Sequence, residues 1–276
     1  MLRSDAVTKI EQFVSTKPRS VQEIAQHIGK NWRTADRYVD EIAREFGTLA
    51  TRVFRGGTRG ALKVVYWASA EHRKKSVFQE QLEQAILHAR RKEDFSAFDI
   101  YQYADVRKKS ASVCNNETEN IPEYKVLLQS AQKQLLLFSG NLSFINLVNK
   151  KTDMFNTFET LFANKVSVKI LCRVDVASKE NVERLLSLNF KHGRELIEIR
   201  HAEQPLRGAI IDAALLRLKE IREPTGKVHE LNKRLFLFYT IKDKEWIEWA
   251  AHVFWRMFNA SLDGVRRLEE LKRIKT

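Results

Sequence analysis

The chain has 276 residues, of which 43% are hydrophobic and 30% are charged, and this length allows two domains with their own cores. A formal net charge of +13 favours an anionic partner. No segment approaches the roughly 20 uncharged apolar residues that span a bilayer, and charged residues interrupt the first ten positions, where a signal peptide would begin. The two cysteines lack zinc-ligand spacing, so we expect a reduced, cytoplasmic protein without a structural metal or cofactor.

Two short helices are predicted near the N-terminus. Ser20 and Glu23 have the spacing of a capping box, and the helix that they begin would end at Gly29. A second helix begins near Asn31, and its apolar stripe for a core consists of Ala35, Val39, Ile42 and Phe46. Its opposite face carries Arg33, Arg37 and Arg44.

A basic hairpin without acidic residues is predicted between Thr48 and Ala70, with a glycine-rich turn at residues 56–60. Its cations are Arg52, Arg55, Arg59 and Lys63. A charged helix face is usually just solvated, and basic edge strands often serve only to prevent aggregation. The order of the two helices and the hairpin, however, favours a helix-turn-helix whose second helix enters the major groove while the hairpin follows the backbone.

This segment resembles the winged helix-turn-helix of bacterial and archaeal transcription regulators. The matching stretches read VQEIAQHIG at residues 21–29 and RTADRYVDEI at residues 33–42. The resemblance implies binding to double-stranded DNA, in agreement with the net charge of +8 on residues 1–92. The expected DNA-binding residues are Asn31, Arg33, Thr34, Arg37, Arg44, Arg52, Arg55, Arg59 and Lys63.

A helical segment follows from Glu71 to Lys92. Its apolar residues recur at heptad-like spacing and form a seam, namely Phe78, Leu82, Ala85 and Ala89. The seam is short, so it predicts either packing on the chain's own winged helix or contact with a second copy in a homodimer. Residues 95–120 are predicted to be a connector with one helical segment.

Beyond Pro122, short apolar runs alternate with amphipathic segments, and we predict strands at 135–138, 166–171, 196–199, 209–211 and 235–239. Helices are expected at 144–162 and, capped by Ser178, at 179–190. This alternation predicts a mainly parallel sheet that is covered on both faces. Leu215, Leu216 and Leu218 could extend the fourth run into a hairpin. An aromatic helix at 243–259 is expected to lie in the core.

The second half resembles one unit of the phospholipase D fold, in the degenerate form fused behind a winged helix in archaeal TrmB-type sugar-responsive regulators. Active members carry H-x-K-x4-D, in which His attacks phosphorus and Lys holds the phosphate oxygens. Here residues 205–212 read PLRGAIID, so Arg207 and Asp212 keep the spacing while Pro205 replaces the nucleophile. Proline supplies no nucleophile, and His201 comes four residues too early. The resemblance therefore implies a non-catalytic domain.

A pocket could remain where loops follow the strands of such a sheet. The polar residues expected there are Ser139, Asn141, Arg173, Asp175, His201, Arg207 and Asp212. They could bind a small polyol or a phosphorylated metabolite, or they could be solvated loop residues with one structural Arg–Asp pair.

The predicted fold is therefore an α+β winged helix-turn-helix N-terminal domain (residues 1–70), a helical linker (71–119) and an α/β phospholipase D-like C-terminal domain (120–276). The predicted function is sequence-specific DNA binding by a homodimeric, non-enzymatic transcription regulator with a ligand-sensing or dimerisation domain. One alternative is a phospholipase D-like nuclease or phosphodiesterase that its winged helix tethers to nucleic acid. Another is an RNA-binding or defence-associated protein.

Overall fold

The computed structural model describes residues 4–45, 48–55, 61–67, 75–149, 152–224 and 231–274. The N-terminal elements are, in chain order, α1 (Ser4–Thr16), β1 (Arg19–Ser20), α2 (Val21–His27), α3 (Trp32–Glu45), β2 (Leu49–Arg55) and β3 (Ala61–Trp67). The three strands form an antiparallel sheet in the order β1-β3-β2.

Local signals determine where α2 begins and ends. The Ser20 hydroxyl oxygen accepts a hydrogen bond from the Glu23 backbone N–H at 3.2 Å, and the Glu23 carboxylate accepts one from the Ser20 backbone N–H at 2.7 Å. This is the predicted capping box. Gly29 follows the helix with a φ of +64°, a left-handed conformation that favours glycine. The predicted boundaries of α2 are therefore confirmed to within a residue or two.

Helix α3 buries the predicted stripe, because Ala35, Val39 and Ile42 are fully buried against α1, α2 and one face of the small sheet. Phe46 lies outside the described residues. The two hairpin strands are also confirmed, whereas their turn at residues 56–60 lies outside the described residues.

The remaining elements are α4 (Lys75–His88), α5 (Phe98–Tyr101), β4 (Lys109–Cys114), α6 (Ile121–Gln129), β5 (Gln134–Phe138), β6 (Val148–Asn149), β7 (Thr152–Asp153), α7 (Met154–Ala163), β8 (Ser167–Cys172), α8 (Lys179–His192), β9 (Ile197–His201), β10 (Gly208–Ile211), β11 (Leu215–Arg222), β12 (Leu235–Ile241), α9 (Lys244–Ala260), β13 (Leu262–Asp263) and α10 (Gly264–Ile274). Among the described helices, none combines the length and apolar composition needed to cross a bilayer.

Eight strands form one large sheet in the order β13-β9-β8-β5-β10-β11-β12-β4. All five predicted runs are strands, but only β5, β8 and β9 are parallel. The prediction of a mainly parallel sheet is wrong, because the segment between β9 and β10 has no helix that could make a crossover. Strand β10 therefore runs antiparallel to β5, and the tight turn at residues 212–214 returns the chain antiparallel as β11, the hairpin foreseen for the fourth run.

Two local predictions in this half are also wrong. The helix expected from residue 144 begins only at Met154, where the Asp153 carboxylate accepts a hydrogen bond from the Phe155 backbone N–H at 2.9 Å. Residues before it form a 3₁₀ turn and the small β6–β7 hairpin. Ser178 does not cap α8 with its side chain, because its hydroxyl oxygen accepts a hydrogen bond from the Asp175 backbone N–H at 2.8 Å instead.

The connector contributes to the large sheet. Strand β4 pairs with β12 from Lys109 to Cys114, so these residues belong to the second domain and the boundary expected at residue 120 is wrong. The short α5 is the helical segment expected within the connector, and it too packs on β12.

The seam on α4 faces its own chain. Ala89 is buried in the core of the second domain, and Leu82 packs against that core. Phe78 is also buried, with its ring 4.7 Å from the Tyr103 ring. Ala85 is exposed. The seam therefore packs on α9 and its surroundings, in a core that also includes Phe54 and Val64 of the hairpin. A homodimer that uses another surface stays a prediction.

The large sheet has helices on both faces, α6, α7, α8 and α10 on one and α4, α5 and α9 on the other. The aromatic residues of α9 are core residues, as predicted, with Trp246, Phe254 and Phe258 almost fully buried. Phe54 of β2 joins this core, with its ring 6.3 Å from Phe98 and 6.2 Å from Tyr239. The small sheet is thus packed between its own helices and the second domain.

Candidate nucleic-acid interface and ligand site

Helix α3 presents a polar face next to α2. Its N-terminus is capped by Asn31, whose side-chain oxygen accepts a hydrogen bond from the Thr34 backbone N–H at 2.9 Å. Because Ala35, Val39 and Ile42 face the core, Arg33 and Arg37 are turned to solvent. Thr34 is half-buried.

Arg33 and Arg37 are exposed cations near the start of α3. Their guanidinium carbons lie 5.7 Å from the Trp32 ring and 5.5 Å from the Tyr38 ring, respectively. In the described part of the chain, neither guanidinium has a carboxylate oxygen within 4 Å. Two exposed arginines on successive turns of one helix can reach adjacent base edges or phosphates.

Lys63 does not take the role that the sequence predicted. Its ammonium nitrogen lies 2.7 Å from a carboxylate oxygen of Asp36 and 2.6 Å from one of Asp40, and its side chain is only 18% exposed. Desolvation opposes the charged form, but hydrogen bonds to Asp36 and Asp40 outweigh it and raise the pKa of Lys63. Lys63 therefore pairs with two acidic residues of α3 and offsets one of their charges instead of facing a phosphate.

Arg52 also departs from its predicted role, because alternation along β2 places it on the face that packs against the second domain. Its guanidinium carbon lies 5.2 Å from the Tyr101 ring. It is a half-buried interdomain residue and not a free phosphate contact. The side chains of Arg44 and Arg55 and the whole of Arg59 lie outside the described residues, so their predicted contacts stay predictions.

The residues expected at the ligand site lie mostly at one edge of the large sheet. This edge is formed by the carboxyl ends of β5, β8 and β9 and by the start of the antiparallel β10. It brings together Ser139, Asn141, Arg173, Asp175, His201 and Arg207.

Asp212 lies at the opposite edge, so its assignment to the ligand site is wrong. The antiparallel direction of β10 carries Asp212 to the start of β5, where its carboxylate accepts hydrogen bonds from three successive backbone N–H groups. Partial burial raises the pKa of Asp212, but the donors on Gln132, Lys133 and Gln134 more than offset this and lower it. Asp212 has a structural role in the turn.

Several residues at the predicted edge are already engaged. The Arg173 guanidinium lies 2.6 Å from the Asp175 carboxylate. Nδ1 of His201 accepts a hydrogen bond from the Val174 backbone N–H at 2.9 Å, and burial, followed by the charge of Arg267, lowers the pKa of His201. The side-chain oxygens of Ser139 and Asn141 accept local backbone hydrogen bonds. These contacts match the structural alternative better than a set of free ligand groups.

Arg207 is different, because its charge is not matched. Its guanidinium donates to the backbone carbonyls of Gln204 at 3.0 Å and Leu206 at 2.7 Å, and no carboxylate oxygen lies within 4 Å in the described part of the chain. Burial, and then the neighbouring Arg173, lower the pKa of Arg207. Gly140 leaves room for it, since a Cβ there would lie 2.9 Å from the guanidinium. An anion could satisfy this cation.

Sequence reasoning missed a cavity of about 80 Å³ between α6 and strands β5, β10, β11 and β12. Arg207 and Ser139 line it, together with Tyr124, Arg217 and Lys219. The alternation of leucine with Arg217 and Lys219 indicates a strand with one polar face, but it does not show that α6 covers that face. In the described residues, no group of three or more His, Cys, Asp or Glu side chains is placed to hold a metal ion.

No family model and no curated protein matches this sequence. Among solved structures, Nuc from Salmonella typhimurium, a phospholipase D family member, has 13% identity over 56% of this chain and 98% of that chain, with a TM-score of 0.41. NucT from Helicobacter pylori has 13% identity, the same coverage and a TM-score of 0.39. The archaeal chromatin protein TrmBL2 has 16% identity over 93% of each chain and a TM-score of 0.39. Similarities at this level assign neither a family nor a function.

Proposed function

We propose that the protein is a sequence-specific DNA-binding transcription regulator that inserts α3 into the major groove. The observation that carries this proposal is the charge on the exposed face of α3. Arg33 and Arg37 have no carboxylate partner in the described part of the chain, while Lys63 pairs with Asp36 and Asp40 and offsets one of their two negative charges. The N-terminal half of the helix therefore offers an anion two free guanidinium groups.

The order of the surrounding elements supports the same function. The order of a helix, a short strand, two helices and a two-stranded hairpin is typical of a winged helix. In such a domain, α3, the second helix of the α2–α3 pair, would be the reading helix. Residues at the start of such a helix contact base edges, which gives Arg33 and Arg37 a reading role and places Asn31 and Thr34 beside them. Because one small basic domain has a marginal footprint on DNA, we propose a homodimer on a roughly palindromic site.

The second domain is proposed to be a non-catalytic sensor of a small anion. Pro205 supplies no nucleophile at the position where active phospholipase D members carry histidine, and Asp212 has a structural role at the other edge of the sheet. A route to the DNA-binding domain exists, because Phe54 of the wing packs directly on Phe98 and Tyr239 of the second domain. A change in the large sheet can therefore alter the position of the wing.

The alternative, phosphodiester hydrolysis, would need His201 as the nucleophile. In the neutral ring, Nδ1 accepts a backbone hydrogen bond, so the proton resides on Nε2 and neither nitrogen has a free lone pair. This arrangement favours the sensor over the enzyme. Incubation with a chromogenic phosphodiester provides a direct test, and we expect no hydrolysis above background. Turnover that His201→Ala abolished would support the alternative.

The test of DNA binding is to incubate the purified full chain with fragments of its own genome and to sequence the fragments that it retains. We expect enrichment of a discrete motif. The double variant Arg33→Ala/Arg37→Ala should lose this enrichment, whereas Arg194→Ala, which removes an exposed arginine from the second domain, should keep it. Equal retention of all fragments by every protein would show that the proposed function is wrong.

A further inference from the structure

Strand β11 buries charge inside the second domain. Its residues Leu216 and Leu218 face the core under α9, so Arg217 and Lys219 face the opposite side, toward α6. Arg217 is only 5% exposed. Buried arginines are rare unless their charge and all their donors are matched, because desolvation of a cation is costly.

The partners of Arg217 do not meet this requirement. Its guanidinium donates to the Thr240 hydroxyl at 2.5 Å and to the Asn120 side-chain oxygen at 3.5 Å. It also lies 3.0 Å from the Glu123 carboxylate, but the Glu123 side chain is 58% exposed to solvent. The buried Nε has no acceptor in the described part of the chain. Burial lowers the pKa of Arg217, against the opposing effect of Glu123. The charge is therefore incompletely compensated.

The cavity beside Arg217 combines this cation with apolar walls. Arg207 and Lys219 also line it, and the acidic residue in the lining, Glu117, is already paired with Lys219. The walls consist mainly of Ile121, Phe138, Phe144, Leu147, Met154 and Phe238. The lining thus carries an excess of positive charge in surroundings where an anion with an apolar body would meet little competition from water.

We propose that this cavity binds a small carboxylic acid as its anion. The carboxylate pairs with Arg217, with Arg207 as the second cation, and a short aliphatic or aromatic body contacts the apolar walls. Such walls offer few partners for the hydroxyl groups of a polyol, and a volume of about 80 Å³ favours a small ligand. This inference names the ligand class of the proposed sensor domain and rests on that proposed function only for its effect on DNA.

The proposal is tested by isothermal titration calorimetry of the full chain, without DNA, against isovalerate and benzoate. Isovaleramide and benzamide serve as neutral analogues of the same shape, and inorganic phosphate serves as an anion without an apolar body. We expect saturable binding of at least one acid, with its amide about 10- to 150-fold weaker, because the charge-assisted hydrogen bonds are lost. Absence of saturable binding by both acids, or amides or phosphate that bind as tightly, would overturn the proposal.

Two variants assign the binding to this cavity. Arg217→Met should weaken acid binding about 10- to 150-fold, while Arg200→Met, which removes a half-buried arginine outside the cavity, should leave it unchanged. Met154→Phe places a bulkier, rigid ring in the cavity wall, which narrows the cavity, and it keeps Arg217, so it tests the site even where Arg217→Met fails to fold. Unchanged acid binding in Met154→Phe, or in folded Arg217→Met, would contradict the proposal. Acid binding by a chain that does not bind DNA would instead refute the proposed function alone.

Discussion

The ammonium group of Lys63, on the second strand of the wing, lies 2.7 Å from the carboxylate of Asp36 on α3. Asp40, one turn further along the helix, lies 2.6 Å from the same nitrogen. One lysine thus pairs with both carboxylates and offsets one of their two negative charges, beside Arg33 and Arg37 on the face proposed to meet DNA. Strand β3 therefore contacts α3 through charge as well as through packing.

Lys63→Ala is therefore expected to weaken DNA binding although Lys63 does not face the phosphates. Removal of the cation leaves both carboxylates unpaired and adds one net negative charge that repels the DNA backbone, at a cost of about 1 kcal/mol or about five-fold in affinity. Fluorescence anisotropy with an operator fragment measures this effect. Lys63→Ala combined with Asp36→Asn and Asp40→Asn should recover the affinity. No recovery in the triple variant would mean that Lys63 acts by direct contact.

Arg37→Ala is expected to relax sequence preference. A bidentate contact between arginine and guanine contributes about 1–3 kcal/mol of discrimination, so the ratio of operator to non-specific affinity should fall accordingly. Competition binding with operator variants measures this ratio, and Arg194→Ala serves as the control of equal charge. If Arg37→Ala lowered affinity for all sequences equally, Arg37 would be a phosphate contact instead of a reading residue.

Arg52→Ala is expected to leave DNA binding intact and to lower stability. The guanidinium packs over Tyr101 at the interdomain contact, and such a cation–π contact contributes about 0.5–1 kcal/mol. The slope of log affinity against log salt should stay constant, whereas loss of a phosphate contact would reduce it by about one unit. A slope reduced by that amount in Arg52→Ala would show that Arg52 contacts a DNA phosphate.

Sequence motifs whose residues lie within a few positions of each other predicted the local structure correctly. Ser20 with Glu23 and the left-handed Gly29 fix α2 because their contacts span a few residues. The predictions that the structure corrected depend on contacts between residues that are far apart in the sequence. The sequence of the hairpin identified Lys63 as an available cation, but it did not show that folding places Lys63 against Asp36. Nor did the sequence of the turn after β10 show that Asp212 lies at the start of β5, at the edge of the sheet opposite the predicted ligand site.

The interdomain elements show the same limit. Strand β4 has few apolar residues, so its place in the sheet follows from pairing with β12, which lies far along the chain. The heptad-like spacing on α4 correctly predicted that Phe78 and Leu82 pack against an apolar surface. Spacing alone did not distinguish the core of its own chain from a second copy.

Leu82→Glu is accordingly expected to destabilise the folded chain rather than to dissociate a dimer. The substitution places a charge against the core beneath α4 and should lower the free energy of unfolding by about 1–3 kcal/mol. Chemical denaturation measures this loss, and sedimentation velocity of the folded variant should match the wild type. Ala85→Glu, at an exposed position of the same helix, is the control. Dissociation of a homodimer by Leu82→Glu, without loss of stability, would show that the seam is a dimer interface.

The stability of the chain is expected to fall as pH rises toward neutrality, because of Asp99. Burial, and then the nearby charge of Glu220, raise the pKa of Asp99 to about 7, against opposing effects of Arg222 and Lys17. The unfolded carboxyl has its ordinary, lower pKa, so between the two values the folded state binds the additional proton. Each pH unit in that window therefore costs at most about 1.4 kcal/mol.

Asp99→Asn should remove this dependence, because an amide does not titrate while it retains the shape of the protonated acid. Thermal denaturation at pH 5 and pH 8 provides the measurement. From pH 5 to pH 8, the melting temperature of the wild type should fall further than that of the variant. At pH 8 the variant should be the more stable protein. Glu180→Gln, at a position on α8 away from this cluster, controls for a change of charge alone. Parallel losses in wild type and Asp99→Asn would show that Asp99 is ionised in the folded state across this range, with Glu220 and Arg222 arranged differently around it.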